Sequence, residues 1–142
     1  MITLKTIDAK DYEAVLRLRV CETDQRYVCD MGDLLKRLRR DDAKDTLLLV
    51  RHHAHVCGML FIAEYETGKY FLKQMFIENP YQNKGVGKEA LALLIERLKK
   101  GGFSSLITTV KKGNNRALRM FASAGFEFVD ALEDKVNLIL YG

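Results

Sequence analysis

The stretch from Tyr70 to Lys100 limits the fold more than any other part of the chain. The run Tyr70-Phe71-Leu72-Lys73-Gln74-Met75-Phe76-Ile77 has the length and apolar content of a strand. After it comes Gln82-Asn83-Lys84-Gly85-Val86-Gly87-Lys88. From there Val86, Ala90, Leu94 and Leu98 repeat at fourfold spacing, with Leu91 and Ile95 beside them, which predicts an apolar helix face reaching Lys100. Glycines in the connecting loop let the backbone approach a ligand closely, and the first N–H groups of the helix point into that loop. Such a terminus attracts phosphate through its N–H groups and its partial positive charge. Lys84 and Lys88 agree with this, because cations at a helix start oppose the dipole and a bound polyanion offsets the conflict. The stretch reads as strand, phosphate-binding loop, helix.

Two familiar phosphate loops fit poorly. A Walker loop needs G-x-x-x-x-G-K-[ST], and Gln82 and Glu89 stand where its first glycine and its hydroxyl belong. The dinucleotide form G-x-G-x-x-G/A is met by Gly85, Gly87 and Ala90, but no acidic residue follows between Ser104 and Val110 to hold a ribose.

The other elements follow in order. Ile2 to Ile7 alternates as a first strand. Asp8 or Asp11 caps a helix with Val15, Leu16 and Leu18 inward, and a short second helix forms on Leu34, Leu35 and Leu38. The irregular segment between these helices suggests a lid over a site. Thr46 to Arg51 and Val56 to Glu64 form strands around a turn at His52-His53-Ala54-His55, and Thr67-Gly68 turns the chain into the strand at Tyr70. After Gly101-Gly102, Ser105 to Val110 is a fifth strand, parallel to the fourth because a helix joins them. Asn114 or Asn115 starts a helix with Ala117, Leu118, Met120 and Phe121 inward, stopped by Gly125; Phe126 to Val129 and Val136 to Tyr141 close the sheet.

The order β-α-α-β-β-β-α-β-α-β-β, the spacing Gln82-x-x-Gly85-x-Gly87, and the segment Asn114-Asn115-Arg116-Ala117-Leu118-Arg119-Met120-Phe121-Ala122-Ser123-Ala124-Gly125-Phe126 together resemble the GNAT superfamily of acetyl-CoA-dependent N-acetyltransferases from end to end. The loop matches that family's Q/R-x-x-G-x-G/A pattern, and the later segment its N-x-x-A-x-x-x-Y-x-x-x-G-F pattern. Gln25-Arg26-Tyr27-Val28, with Tyr70 to Gly87, is further similar to the spermine/spermidine (diamine) acetyltransferase branch. The resemblance implies an α/β (α+β) fold: a mixed, mostly antiparallel seven-stranded sheet flanked by four helices. It also implies acetyl-CoA as acetyl donor, without a metal, and direct attack by a primary amine in a ternary complex. A small amine such as a polyamine is the first acceptor to consider; a protein amine is another, and a homodimer is possible because many relatives are dimers.

By that resemblance, backbone groups of Met75, Phe76 and Ile77 bond the pantetheine arm and thioester, and Gln82, Asn83, Lys84, Gly85, Val86, Gly87 and Lys88 hold the pyrophosphate. Asn114 either bonds the pantetheine arm or simply caps its helix. Phe121 stands where the family commonly has the tyrosine that protonates the departing thiolate, and phenylalanine has no proton to give. Lys73 and Gln74 fill the positions where many relatives carry a carboxylate. Glu78 is the nearest acid and could act as base through a water. Tyr27 and Asp30, on the lid, could meet a cationic substrate. The missing acid and base leave a second reading open, a non-catalytic acyl-CoA-binding or regulatory module.

The remaining features exclude other classes. A chain of 142 residues builds one domain, 1–142. Cys21, Cys29 and Cys57 form no paired motif and read as reduced thiols. With no signal design at Met1 to Lys5 and no apolar run near 18 residues, a cytoplasmic protein without a membrane segment is expected. The net charge of +4 suits a polyanionic ligand. The basic run Lys36-Arg37-Leu38-Arg39-Arg40 lacks interleaved aromatics, so it reads as a solvated helix face and not as a nucleic-acid contact. His52, His53 and His55 sit at a turn with no second ligand group in sequence, so no metal is expected there.

Overall fold

The computed structural model describes residues 2–6, 45–53, 55–78, 81 and 84–142. Both helices expected between Asp8 and Leu38, the lid with Tyr27 and Asp30, Cys21, Cys29, the Lys36–Arg40 run, Gln82 and Asn83 lie outside the described residues. The described elements are β1 (Ile2–Thr6), β2 (Asp45–His52), β3 (His55–Glu66), β4 (Lys69–Ile77), α1 (Val86–Lys100), β5 (Ser105–Lys111), α2 (Asn115–Ser123), β6 (Glu127–Leu132) and β7 (Lys135–Tyr141). They form one seven-stranded sheet in the order β1-β2-β3-β4-β5-β7-β6. Every neighbouring pair is antiparallel except β4 and β5, which are parallel because α1 carries the chain back between them. Among the described residues no helix is long and apolar enough to cross a membrane.

Alternation along the strands sets the two faces. Leu48, Val50, Leu60, Ile62 and Leu72 join Ala90, Leu91, Leu94 and Leu98 of α1 in one core, so the fourfold repeat of the helix is the stripe that covers the sheet. Each such buried aliphatic side chain contributes about 1.5–3 kcal/mol. The alternate residues Leu47, Leu49, Met59 and Phe61 are buried on the opposite face.

Register shifts interrupt the pairing at four places, and two of them bear on the core and the site. Cys57 has no partner between the pairs Val50↔Gly58 and Arg51↔Val56. In β4 the extra residue is Lys73, between Ile62↔Leu72 and Phe61↔Gln74. The extra residue in β4 shifts its parity, so Leu72 faces α1 before the bulge while Met75 and Ile77 face it afterwards.

Both helices end on the same device. In α1, Gly102 (φ 76°) donates to the Lys99 carbonyl and Phe103 to the Leu98 carbonyl. In α2, Gly125 (φ 101°) donates to the Ala122 carbonyl and Phe126 to the Phe121 carbonyl. Glycine supplies the left-handed turn, and the following phenylalanine folds back on the last helical turn. The Phe121 and Phe126 rings meet edge to face at 5.1 Å. For this reason Phe126, expected to begin β6, closes the helix instead, and β6 starts at Glu127 and runs on to Leu132. The turn expected at His52 to His55 is also tighter, since His52 and His55 pair as strand residues.

Gly58 is required by close approach. A Cβ there would lie 2.6 Å from the Phe76 carbonyl oxygen and 2.8 Å from Ile77 Cδ1. Gly58→Ala is expected to lower unfolding free energy by about 1–3 kcal/mol in a denaturant titration, as overpacking does; an unchanged midpoint contradicts that packing.

Candidate active site

The centre of the sheet opens. β4 and β5 pair only from Lys69↔Ser105 to Leu72↔Thr108. Beyond that rung β4 continues to Ile77 bonded to β3, and β5 continues to Lys111 bonded to β7. The Thr108 hydroxyl donates to the Leu72 carbonyl at 3.0 Å and so occupies the acceptor at the point of separation. With the strands apart, every second residue of β4 turns its backbone N–H and C=O away from β3 and into the gap.

A cavity of about 380 Å³ fills this fork. Its walls are β4 from Leu72 to Ile77, β5 from Thr108 to Lys111, the start of α1 at Gly85, Gly87 and Lys88, and the cavity-facing side of α2. Helix α1 begins in a way that suits an anion. Gly85 is its N-cap, with φ 80° and no side-chain cap, and the first helical bond runs from the Glu89 N–H to the Gly85 carbonyl at 3.0 Å. Val86, Gly87 and Lys88 therefore carry the helix's unpaired N–H groups. Gly87 also brings the helix close to the other walls. A Cβ there would lie 3.4 Å from Met120 Sδ, 3.5 Å from Ile77 Cγ1 and 3.7 Å from Met75 Cε.

Of the residues expected from the sequence, Met75, Phe76, Ile77, Gly85, Gly87, Lys88, Asn114 and Phe121 come together in this cavity. Asn114 caps α2, its Oδ1 accepting from the Ala117 N–H at 3.4 Å, which leaves its Nδ2 for other partners. Phe121 is 4% exposed and held by the helix-end device described above. Val86 turns its side chain into the core, and Lys84 is exposed next to the cavity-lining Gly85. Glu78 lies apart from the described lining. Its N–H donates to the Cys57 carbonyl at 2.6 Å, and its carboxylate is 3.5 Å from His55 Nε2.

The histidines make a small ring cluster on that side: His55 stacks on Tyr81 with centroids 5.6 Å apart, and His52 meets His53 at 4.4 Å. Loss of water and the neighbouring His53 hold the His52 imidazole below its usual pKa, while burial and the nearby Glu78 charge push the Cys57 thiol up. Among the described residues no group of three His, Cys, Asp or Glu side chains could hold a metal.

Sequence reasoning did not assign several lining residues. Lys73, Lys111, Arg116 and Arg119 line the cavity with Lys88, and none of the described lining residues is acidic. Arg116, Arg119, Met120 and Ser123 follow helical spacing, a signal that was available; Thr108 and Thr109 depend on where two strands part, which no local pattern reveals. The cations suit a polyanion.

Residues 12–126 match the model of the acetyltransferase (GNAT) family. Two curated relatives from Bacillus subtilis are each 24% identical over 149 residues, covering 93% of this chain and 91% of the relative. They are a probable spermine N(1)-acetyltransferase of subspecies natto strain BEST195 and a spermine/spermidine N(1)-acetyltransferase of strain 168. Among solved structures, the fold is similar to PaiA N-acetyltransferase from Thermoplasma acidophilum in complex with coenzyme A (TM-score 0.81, 16% identity, 100% of this chain and 99% of that one). It is likewise similar to the ribosomal-protein-S18-alanine N-acetyltransferase from Escherichia coli (TM-score 0.80, 18% identity, 99% and 94%).

Filling the space beside Gly87 tests the cavity directly. Gly87→Leu is expected to weaken acetyl-CoA binding at least about tenfold in a calorimetric titration, because the side chain projects between Met75, Ile77 and Met120. Equal affinity in the variant contradicts the placement of the ligand.

Proposed function

We propose, from the premise that this chain belongs to the acetyltransferase (GNAT) family, that its residues 1–142 act as one catalytic domain. That domain moves the acetyl group of acetyl-CoA directly to a small primary amine in a ternary complex. The observation that carries this reading is the fork between β4 and β5, open toward the uncapped start of α1. A long thin ligand with an anionic end fits there: its arm between two strands offering backbone donors and acceptors, its diphosphate on the N–H groups of Val86, Gly87 and Lys88. Lys84 and Lys88 add charge, and Gln82 and Asn83 belong to the same loop by motif. Asn114 Nδ2 and the backbone of Met75, Phe76 and Ile77 would hold the pantetheine arm.

Acetyl-CoA supplies an activated thioester. The amine must reach it uncharged, since only its lone pair attacks; the N–C bond forms, the C–S bond breaks, and the amine's extra proton passes to water. A backbone N–H of β4 aimed at the thioester oxygen stabilises the charge that develops there, a contribution of about 3 kcal/mol for one donor. Glu78 would receive the proton through a water. Phe121 closes the sulfur end with a ring that cannot protonate it. A thiolate is a tolerable leaving group, so coenzyme A departs without an acid. Tyr27 and Asp30 are proposed to face the acceptor.

A polyamine is the acceptor suggested by the Bacillus relatives' names. The described lining weighs against a polycation, because its charged side chains are cationic. Spermine and spermidine are the amines to test against singly charged ones, since the relatives' names and the cationic lining point in opposite directions.

The test is thiol release from acetyl-CoA across a panel of amines. Amine-dependent release is expected; tight coenzyme binding with no release for any amine would favour a non-catalytic binding module. Phe121→Tyr is expected to leave kcat within about threefold of wild type, whereas a missing general acid typically costs about 10²-fold or more. A rise of that larger size shows that protonation of the thiolate limits turnover.

A further inference from the structure

The wall of the fork formed by β5 carries a polar row that the coenzyme reading leaves unused. Register sets Thr109 opposite Asn137 on β7, and Asn137 opposite Asp130 on β6. Leu106 and Val110 on β5, with Val136, Leu138 and Leu140 on β7, point to the core that α1 and α2 share. Thr109, Asn137 and Asp130 therefore share the opposite face. Thr109 is the first residue of β5 beyond its last rung with β4, and it lines the cavity.

Thr109 Oγ1 donates to Asn137 Oδ1 at 2.8 Å, and Asn137 Nδ2 donates to Asp130 Oδ1 at 2.7 Å. A carboxylate accepts and does not donate, so Asp130 decides which way the amide faces: nitrogen toward β6, oxygen toward Thr109. The hydroxyl hydrogen of Thr109 is thereby committed. Its oxygen keeps lone pairs, and can only accept from whatever enters the fork.

This polarity suits one reactant. At its reacting end the coenzyme offers no N–H or O–H, its amide donors lying farther back along the pantetheine arm, whereas a primary amine does. A hydroxyl free to turn could donate to the amine's lone pair and quench the nucleophile; one locked by Asn137 cannot. With the coenzyme's diphosphate on α1, over the core face, the amine has the opposite face for its approach, where this row lies. We propose that Thr109 accepts one N–H of the incoming amine and so aims its lone pair at the thioester carbon. Asn137 and Asp130 are positioning residues that hold the hydroxyl in its accepting orientation. This inference rests on the acetyltransferase reading given above.

The experiment is steady-state kinetics with saturating acetyl-CoA and each of spermine, spermidine, glucosamine and an alanine-initiated peptide, together with a coenzyme A titration of every protein. Thr109→Val keeps the shape and removes the oxygen; its KM for the best amine is expected to rise roughly five- to tenfold, with coenzyme affinity unchanged. Thr109→Ser restores the wild-type KM, and Asp130→Ala, which frees the amide, raises the KM by a smaller factor. Equal amine KM for Thr109→Val and wild type overturns the inference, as does a wild type that binds coenzyme A and uses none of the amines. A loss of coenzyme affinity in Thr109→Val also overturns it, because the effect is then structural. A wild type with no affinity for coenzyme A sinks the acetyltransferase reading, and the inference with it.

Discussion

A parallel pair of strands that parts halfway is the constraint on which the site depends. Seven strands make six pairings, and five of these run nearly the full length of the shorter strand. β4 and β5 stop at Leu72 and Thr108, yet each remains anchored on its outer side, to β3 and β7. Separation leaves backbone donors and acceptors without strand partners, and such groups are costly to bury unsatisfied. A ligand carrying amides and a thioester would satisfy them, which supports the proposed use of the cavity as a binding site. The Thr108 hydroxyl on the Leu72 carbonyl and the bulge at Lys73 are the local adjustments at the parting.

The helices complete the site by their ends more than by their faces. Helix α1 covers the sheet with its apolar stripe, but it is the cap at Gly85 that leaves three N–H groups directed at the fork. Gly87, one residue into the helix, keeps the space between Met75, Ile77 and Met120 clear of a Cβ. In α2 the terminal turn at Gly125 brings Phe126 onto Phe121 and so sets the ring that closes the cavity. A glycine–phenylalanine pair ends both described helices, which ties a short motif to a defined turn.

Much of this was legible in the residues. The fourfold repeat of α1 and the strand length of β4 are read from the residues alone, as is the glycine loop proposed to take the phosphates. The Asn114 cap and the Gly125 stop bracket α2 correctly. What stayed hidden depends on pairing. The bulges at Cys57 and Lys73 reverse the face of the residues after them, and nothing in the local pattern announces the change. The row Thr109, Asn137 and Asp130 spans 28 positions at its first bond and exists only through the register of three strands. From sequence Phe126 reads as the start of β6, because an aromatic after a glycine suits a strand start as well as a helix end; the strand begins at Glu127. The described strands follow the order read from the sequence, while the two helices expected before β2, with Tyr27 and Asp30, lie outside the described residues.

A crystal structure of the protein with coenzyme A tests the central claim most directly. The account predicts the diphosphate within hydrogen-bonding distance of the Val86, Gly87 and Lys88 N–H groups, with the pantetheine arm bonded between β4 and β5 beyond Leu72 and Thr108. Coenzyme bound elsewhere, or a fork closed by pairing of β4 with β5, would contradict it.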